Sequence, residues 1–179
     1  MKKIILSIII TITSLTGISQ VADSTVLKTP KTIHKLGLHA GTTSGLGLSY
    51  KALFNNSFMI QVVTLPIASK DLKYINSGLS LKYKFKDLAE WDFYAYGAGN
   101  YIFNESTSEN YNFFTDEYSS STTTLNNTHF SSGIAIEYGE GELVKWSLQI
   151  GYAAYNVGSR DWLTNLSIGT TLDFSLNSK

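Results

Sequence analysis

The chain has no cysteine among its 179 residues. Disulfide bridges are excluded, and so is a lipid anchor attached through an N-terminal Cys. It also lacks any surplus of one charge, because fourteen Lys and Arg balance fourteen Asp and Glu. With no basic excess, nothing recommends a nucleic-acid partner. After residue 19 no apolar run approaches the roughly 20 residues that a membrane-spanning helix requires. That absence leaves barrels open, since they cross a bilayer on strands with no long hydrophobic run. No helical periodicity stands out, and no repeat longer than a hairpin.

Residues 1–19 have the order of an export signal. Lys2 and Lys3 precede an apolar run, Ile4–Ile12, broken only by Ser7 and Thr11; Gly17 and Ser19 then place small residues ahead of Gln20. A positive start, a short apolar stretch and a small-residue cleavage site define a secretory signal. Residues 20–32 are polar, carry Pro30 and read as a loose periplasmic tail. Residues 33–179 read as one barrel domain, a length suited to a single domain.

That domain alternates one-in, one-out. Val144, Trp146, Leu148, Ile150 and Tyr152 interleave with Lys145, Ser147, Gln149, Gly151 and Ala153, and Leu166, Ile168, Leu172 and Phe174 repeat the pattern. Period two is the mark of a strand with unlike faces. Strands are expected at 33–41, 44–53, 57–66, 73–86, 91–103, 127–138, 143–155 and 163–175. In the fifth, Tyr94, Tyr96 and Ile102 face out if Ala95, Gly97 and Gly99 face in, which sends Asn100 outward too. Three connections are brief, around Phe54–Ser57, Lys86–Glu90 and Gly139–Glu142. The others fall at Gly41–Ser44, Leu65–Leu72, Asn104–Asn126 and Asn156–Trp162, and the third is long and rich in Ser, Thr and Asn. Short periplasmic turns with longer outer loops are the habit of outer-membrane barrels.

Size decides which face points out. An eight-stranded barrel has an interior just wide enough for its side chains. The bulky parity carries far more Leu, Ile, Val and aromatic groups than such a space holds, and interiors resist overpacking. The other parity is small or polar, with Gly37, Gly45, Gly47, Gly78, Gly97, Gly99, Gly133, Gly151 and Gly169. The greasy face therefore meets lipid. The fold class is all-β, an eight-stranded antiparallel up-and-down transmembrane β-barrel. About ten residues at ~3.3 Å rise, tilted near 45°, project to about 23 Å, close to the apolar band of such barrels. Aromatics fall at two levels, with Tyr50, Phe85, Trp91, Tyr138, Trp146 and Phe174 at one end. Tyr74, Phe103, Phe130, Tyr152 and Trp162 lie at the other, as headgroup girdles would.

Three stretches resemble the small eight-stranded outer-membrane proteins of Gram-negative bacteria, the OmpA-type transmembrane domain and OmpX among them. Phe93-Tyr-Ala-Tyr-Gly-Ala-Gly99 is similar to that family's aromatic-then-Gly-x-Gly strand. Ser131 to Tyr138 followed by Trp146 to Tyr152 resembles its penultimate hairpin. Ser167, Gly169, Leu172 and Phe174 look like its C-terminal assembly signal, although Ser-Leu-Asn-Ser-Lys follows. The resemblance implies outer-membrane lipid and lipopolysaccharide as surroundings, and the barrel-assembly machinery as a partner during insertion.

Inward charges gather toward the periplasmic half: Lys35, Lys51, Lys82, Lys84, Glu137, Lys145 and Asp173. Buried charges need partners, so a salt-bridged plug that closes the lumen is expected. Asp173 is placed to meet Lys35 across the seam, Glu137 to lie near Lys145, and Lys84 to snorkel to water. His129 and Ser131 share a face, which raises a lipid-modifying enzyme of the lipid A deacylase kind. A nucleophile needs a base in reach and a third group to orient it. Glu137 and Glu140 sit toward the wrong end, leaving only Asp161. His34 and His39 have no metal-ligand spacing, and no cofactor is expected. A soluble exported ligand-binding barrel is the other alternative. In the long loop, Tyr111, Phe113, Phe114 and Tyr118 are candidates for contact with an extracellular partner. The expected role is structural or surface-interactive, without an open pore and without catalysis.

Overall fold

The computed structural model describes residues 32–113, 117–139 and 143–176. The expected export signal, the tail up to residue 31, Phe114 and Glu140 lie outside the described residues. The chain forms eight strands: β1 Thr32–Gly41, β2 Gly45–Phe54, β3 Phe58–Ala68, β4 Leu72–Asp87, β5 Trp91–Asn112, β6 Glu117–Tyr138, β7 Val144–Tyr155 and β8 Leu163–Ser175. Each pairs antiparallel with the next, and β1 pairs with β8 to close the ring. Closure leaves the ring itself without edges.

Alternation sorts the side chains as the period-two pattern demands. Leu36, Leu38, Leu48, Val62, Leu79, Leu81, Ile134, Ile150 and Ile168 point outward and stay exposed, Leu48 at 65%. Lys35, Lys51, Gln61, Ser80, Lys82, Glu137, Gln149 and Asp173 point inward and are buried. The molecule is thus polar within and apolar without, the inverse of a water-soluble domain. A small apolar wall of Leu53, Met59, Tyr94, Tyr96, Ala98 and Ala135 lines one side of the lumen.

β5 corrects one expectation. Asp92, Tyr94, Tyr96, Ala98 and Asn100 face the lumen, and Ala95 and Gly97 face out, Tyr94 being only 1% exposed. The reason is volume. Tyr96 is in register with Gly133 of β6, which is in register with Gly151 of β7. A Cβ added at Gly151 would lie 2.6 Å from the Tyr96 hydroxyl. Two inward glycines therefore make the space that one inward tyrosine fills. Outside, the ring of Phe130 lies 3.2 Å from where a Cβ on Gly99 would stand, covering the dent. Tyr74 also departs from its place in an outer girdle, because it shares the inward face of β4 with Asn76, whose Nδ2 donates to its hydroxyl at 3.0 Å.

Two connections carry the geometry of the lumen. Asn55 and Asn56 have φ of 48° and 57°, the paired left-handed conformation of a two-residue hairpin turn. At the opposite end, Thr42–Ser44 does not rise away from the barrel but folds over its mouth. Thr43 and Ser44 are buried, and Gly78 of β4 approaches the Ser44 carbonyl so closely that no Cβ fits between them. Gly78→Ala is expected to push this turn off its seat at a cost of about 1–3 kcal/mol, the usual range for overpacking. Thermal unfolding of the folded barrel checks it; an unchanged midpoint would show that the turn yields freely.

Candidate functional site

The lumen is built in three polar layers. Nearest the short turns, Asp92 accepts from Lys84 at 3.0 Å through one oxygen and from Lys145 at 3.0 Å through the other. Lys84 also meets Asp87 at 3.1 Å and donates to Asn56 at 2.9 Å. The expectation that Lys84 snorkels is therefore replaced by an ion pair, with its side chain only 7% exposed. Asp92 escaped the sequence reading because the parity assigned to β5 turned it outward.

The second layer holds the buried charges. Lys35 donates to Glu137 Oε2 at 2.8 Å, and Lys51 lies 3.4 Å from Glu137 Oε1 and pairs with Asp173. Tyr94 adds a hydroxyl donated to Glu137 at 3.4 Å. These pairs link β1, β2, β6 and β8 across the lumen rather than along its wall. The expected Lys35–Asp173 and Glu137–Lys145 contacts are exchanged for Lys35–Glu137, Lys51–Asp173 and Lys145–Asp92. Adjacent-strand reasoning missed them because a lysine stem is long enough to reach the opposite wall of so narrow a barrel. Lys82, also expected among the pairs, has no hydrogen-bond or ion-pair partner among the described residues.

Above the charges lies a neutral layer. His39 shares hydrogen bonds with Thr171 Oγ1 at 2.6 Å and Ser44 Oγ at 2.7 Å. Gln61 donates to Ser49 Oγ at 2.8 Å. The folded turn completes the seal: Thr43 Oγ1 donates to Ser131 Oγ at 2.7 Å and lies 2.5 Å from Ser167 Oγ. One side chain thereby joins the first connection to β6 and β8. The first outer connection, Thr42–Ser44, is the lid.

This arrangement does not bring the His129 and Ser131 candidates together. Ser131 is held by Thr43, and His129 Nδ1 accepts the Asn156 backbone N–H at 3.0 Å. Asp161 sits in an exposed turn where its own N–H bonds Ser159. His129 and Ser131 hydrogen-bond to other groups and not to each other, whereas a nucleophile needs its base within hydrogen-bond reach. His34 faces outward, stacked on Tyr50 with ring centroids 5.9 Å apart, while His39 faces in. Among the described residues no group of His, Asp and Glu is disposed to hold a metal.

The assembly-signal candidates split by parity. Ser167 and Gly169 line the lumen, whereas Leu172 and Phe174 lie on the outer surface of β8.

The segment 104–126 is not a loop. β5 and β6 stay paired from Trp91–Tyr138 to Asn112–Glu117, so the hairpin runs well past the ring. β4 accompanies β5 only to Ser106, and β7 accompanies β6 only from Phe130. Beyond those points the hairpin is a two-stranded arm. Tyr111 and Tyr118 pair near its tip, centroids 4.7 Å apart, and Phe113 and Tyr118 are strongly exposed. Ser and Thr in this stretch suggested a solvated loop, yet Thr favours strands and cross-strand Thr pairs add to them. Thr107 and Thr122 form such a pair at 3.2 Å.

No family model and no curated protein matches the chain. Among solved structures it is similar to the N-terminal β-barrel domain of Pseudomonas aeruginosa OprF. Identity there is 10%, coverage 80% of this chain and 96% of that one, with a TM-score of 0.43. It is also similar to Neisserial surface protein A, at 16% identity, covering 80% of this chain and 93% of that one, with a TM-score of 0.33.

Proposed function

We propose that this is an integral outer-membrane protein whose barrel is a closed anchor and whose arm meets partners outside the cell. The observation that carries the reading is the inverted burial: leucines and isoleucines ring the outside while lysines and carboxylates fill the inside. Such a surface is stable only against hydrocarbon, where a closed barrel satisfies every backbone group. Layered ion pairs and the Thr43 lid cross the lumen among the described residues, which favours an anchor over a pore. Lipid and lipopolysaccharide surround it, and insertion uses the barrel-assembly machinery through the β8 signal.

The arm supports the surface role. Over Ser120–Asn127 β6 has β5 on one side and no strand on the other, and that stretch holds no Lys, Arg or Pro. Proteins ordinarily blunt an exposed edge with charge or proline. An edge left plain is suited to accept an extended segment of a partner through main-chain hydrogen bonds. Tyr111, Phe113 and Tyr118 add aromatic contact at the tip, with Phe114 in the same connection.

The test replaces Thr107–Thr122 by a two-residue turn in the full chain, expressed in an outer-membrane-bearing host. The shortened protein is expected to stay in the outer-membrane fraction while adhesion of the cells to a surface or to one another falls to background. Recovery of the parent in the soluble fraction would defeat the membrane assignment. Undiminished adhesion by the shortened form would defeat the arm's role.

A further inference from the structure

Among the described residues the lysines of the lumen outnumber by one the carboxylates that meet them. Lys35 and Lys51 are matched by Glu137 and Asp173, and Lys84 and Lys145 by Asp92, with Asp87 also on Lys84. Lys82 is left over. It is 2% exposed and has no hydrogen-bond or ion-pair partner among the described residues. An uncompensated ammonium in such a place is strongly disfavoured.

Two other buried donors nearby are also unused. Ser80 Oγ, two residues along the same inward face of β4, has no partner, and neither has the hydroxyl of Tyr96. Lys82 is in register with Tyr96 on β5. The Tyr96 ring crosses Gly133 and sets its hydroxyl against Gly151 of β7, three strands round the ring from β4. Lys82 and Ser80 thus face the lumen from β4, and the Tyr96 hydroxyl enters it beside β7. Asp173 Oδ1 and Gln149 Oε1 are likewise unpaired, but they are acceptors on β8 and β7. The Asp173 carboxylate repels an anion and disfavours the side of β8; Asn100 Oδ1, on β5, is a further unpaired acceptor.

We propose that Lys82, with the hydroxyls of Ser80 and Tyr96, holds a small monovalent anion of the halide class inside the sealed barrel. A single negative charge offsets the single surplus positive one. Ammonium and hydroxyl groups all donate, so each gains an acceptor. Water would satisfy the hydrogen bonds and leave the charge. A phosphate carries more charge than the lumen lacks and needs more donors than it offers. The anion is a fixed part of the interior, enclosed when the lid turn seats.

The experiment uses the mature chain folded in detergent micelles, with bromide as the probe and gluconate, too large for the lumen, as the reference salt at equal ionic strength. Bromide is expected to raise the folding equilibrium constant about tenfold per decade above its dissociation constant. Crystals grown in bromide are expected to show an anomalous peak within hydrogen-bond distance of Lys82 Nζ. Lys82→Met removes the charge and should abolish both effects. Tyr96→Phe keeps the charge and should weaken the bromide dependence severalfold, which decides the matter if Lys82→Met does not fold. Equal stability in the two salts, absence of the peak, or a full bromide response in either variant that folds overturns the site.

Discussion

Ile150→Arg is expected to destabilise the barrel by about 2–4 kcal/mol when it folds into a phospholipid bilayer, the cost of a guanidinium near the midplane on the lipid face of a strand. Ile150 is 50% exposed and stands between Ile134 and Ile168, its partners in register on β6 and β8. Ile150 and Ile168 lie midway along their strands, and Ile134 midway along the part of β6 that pairs with β7, so the arginine has the longest way to snorkel. In a water-soluble protein the same position would tolerate arginine, since exposed substitutions usually stay within about 0.5 kcal/mol. Urea unfolding of the parent and variant in vesicles measures the difference. A change below about 0.5 kcal/mol would mean that water, not acyl chains, touches Ile150.

Most of the fold was legible because a strand's period is a property of the chain and needs no knowledge of neighbours. Val144 to Tyr152 alternates so strictly that only one register of faces is possible, and its inward set is the one observed. β5 resisted for a definite reason. Small residues suit a tight lumen, which favours Ala95, Gly97 and Gly99 as the inward set, but two tyrosines on the other parity occupy that lumen. The better signal was polarity: Asp92 and Asn100 share a parity with Tyr94 and Tyr96, and both are buried. A carboxylate has no place against lipid, whereas a glycine is tolerated there when a neighbour such as Phe130 covers it.

The candidate site was half legible. That Lys35, Lys51, Glu137 and Asp173 face inward follows from parity, but which lysine meets which carboxylate depends on how far side chains reach across the ring. The same limit hid the lid. Thr42–Ser44 is short enough to pass for a plain turn, and only the three-dimensional closeness of Thr43 to Ser131 and Ser167 reveals that it closes the mouth. The arm was misjudged for want of a hydrophobic pattern; both its faces meet solvent, so alternation carries no information, and strand pairing rests on Thr content and on continuity with the ring.

Glu137→Ala is expected to be the most damaging single change in the lumen, at about 3–5 kcal/mol, because it strands buried cations without a counter-charge. Glu137 is 2% exposed, accepts from Lys35 at 2.8 Å, lies 3.4 Å from Lys51 and accepts from the Tyr94 hydroxyl. Lys51 retains Asp173, so the loss falls chiefly on Lys35. The double variant Lys35→Met with Glu137→Met should recover most of that loss, since replacing a whole buried pair by apolar groups of similar volume is often neutral or stabilising. Chemical unfolding of the parent, Lys35→Met, Glu137→Met and their double variant in micelles separates the pair from its surroundings. Additive losses would show that Glu137 and Lys35 act independently, and the plug would then owe its stability to packing. Strong non-additivity, with the double variant above the Glu137→Met single, is what a desolvated ion pair across the lumen requires. Conductance in a planar bilayer then reads the seal itself: the parent should stay closed, and Glu137→Ala, with its cations repelling one another, should open more often than the apolar double variant.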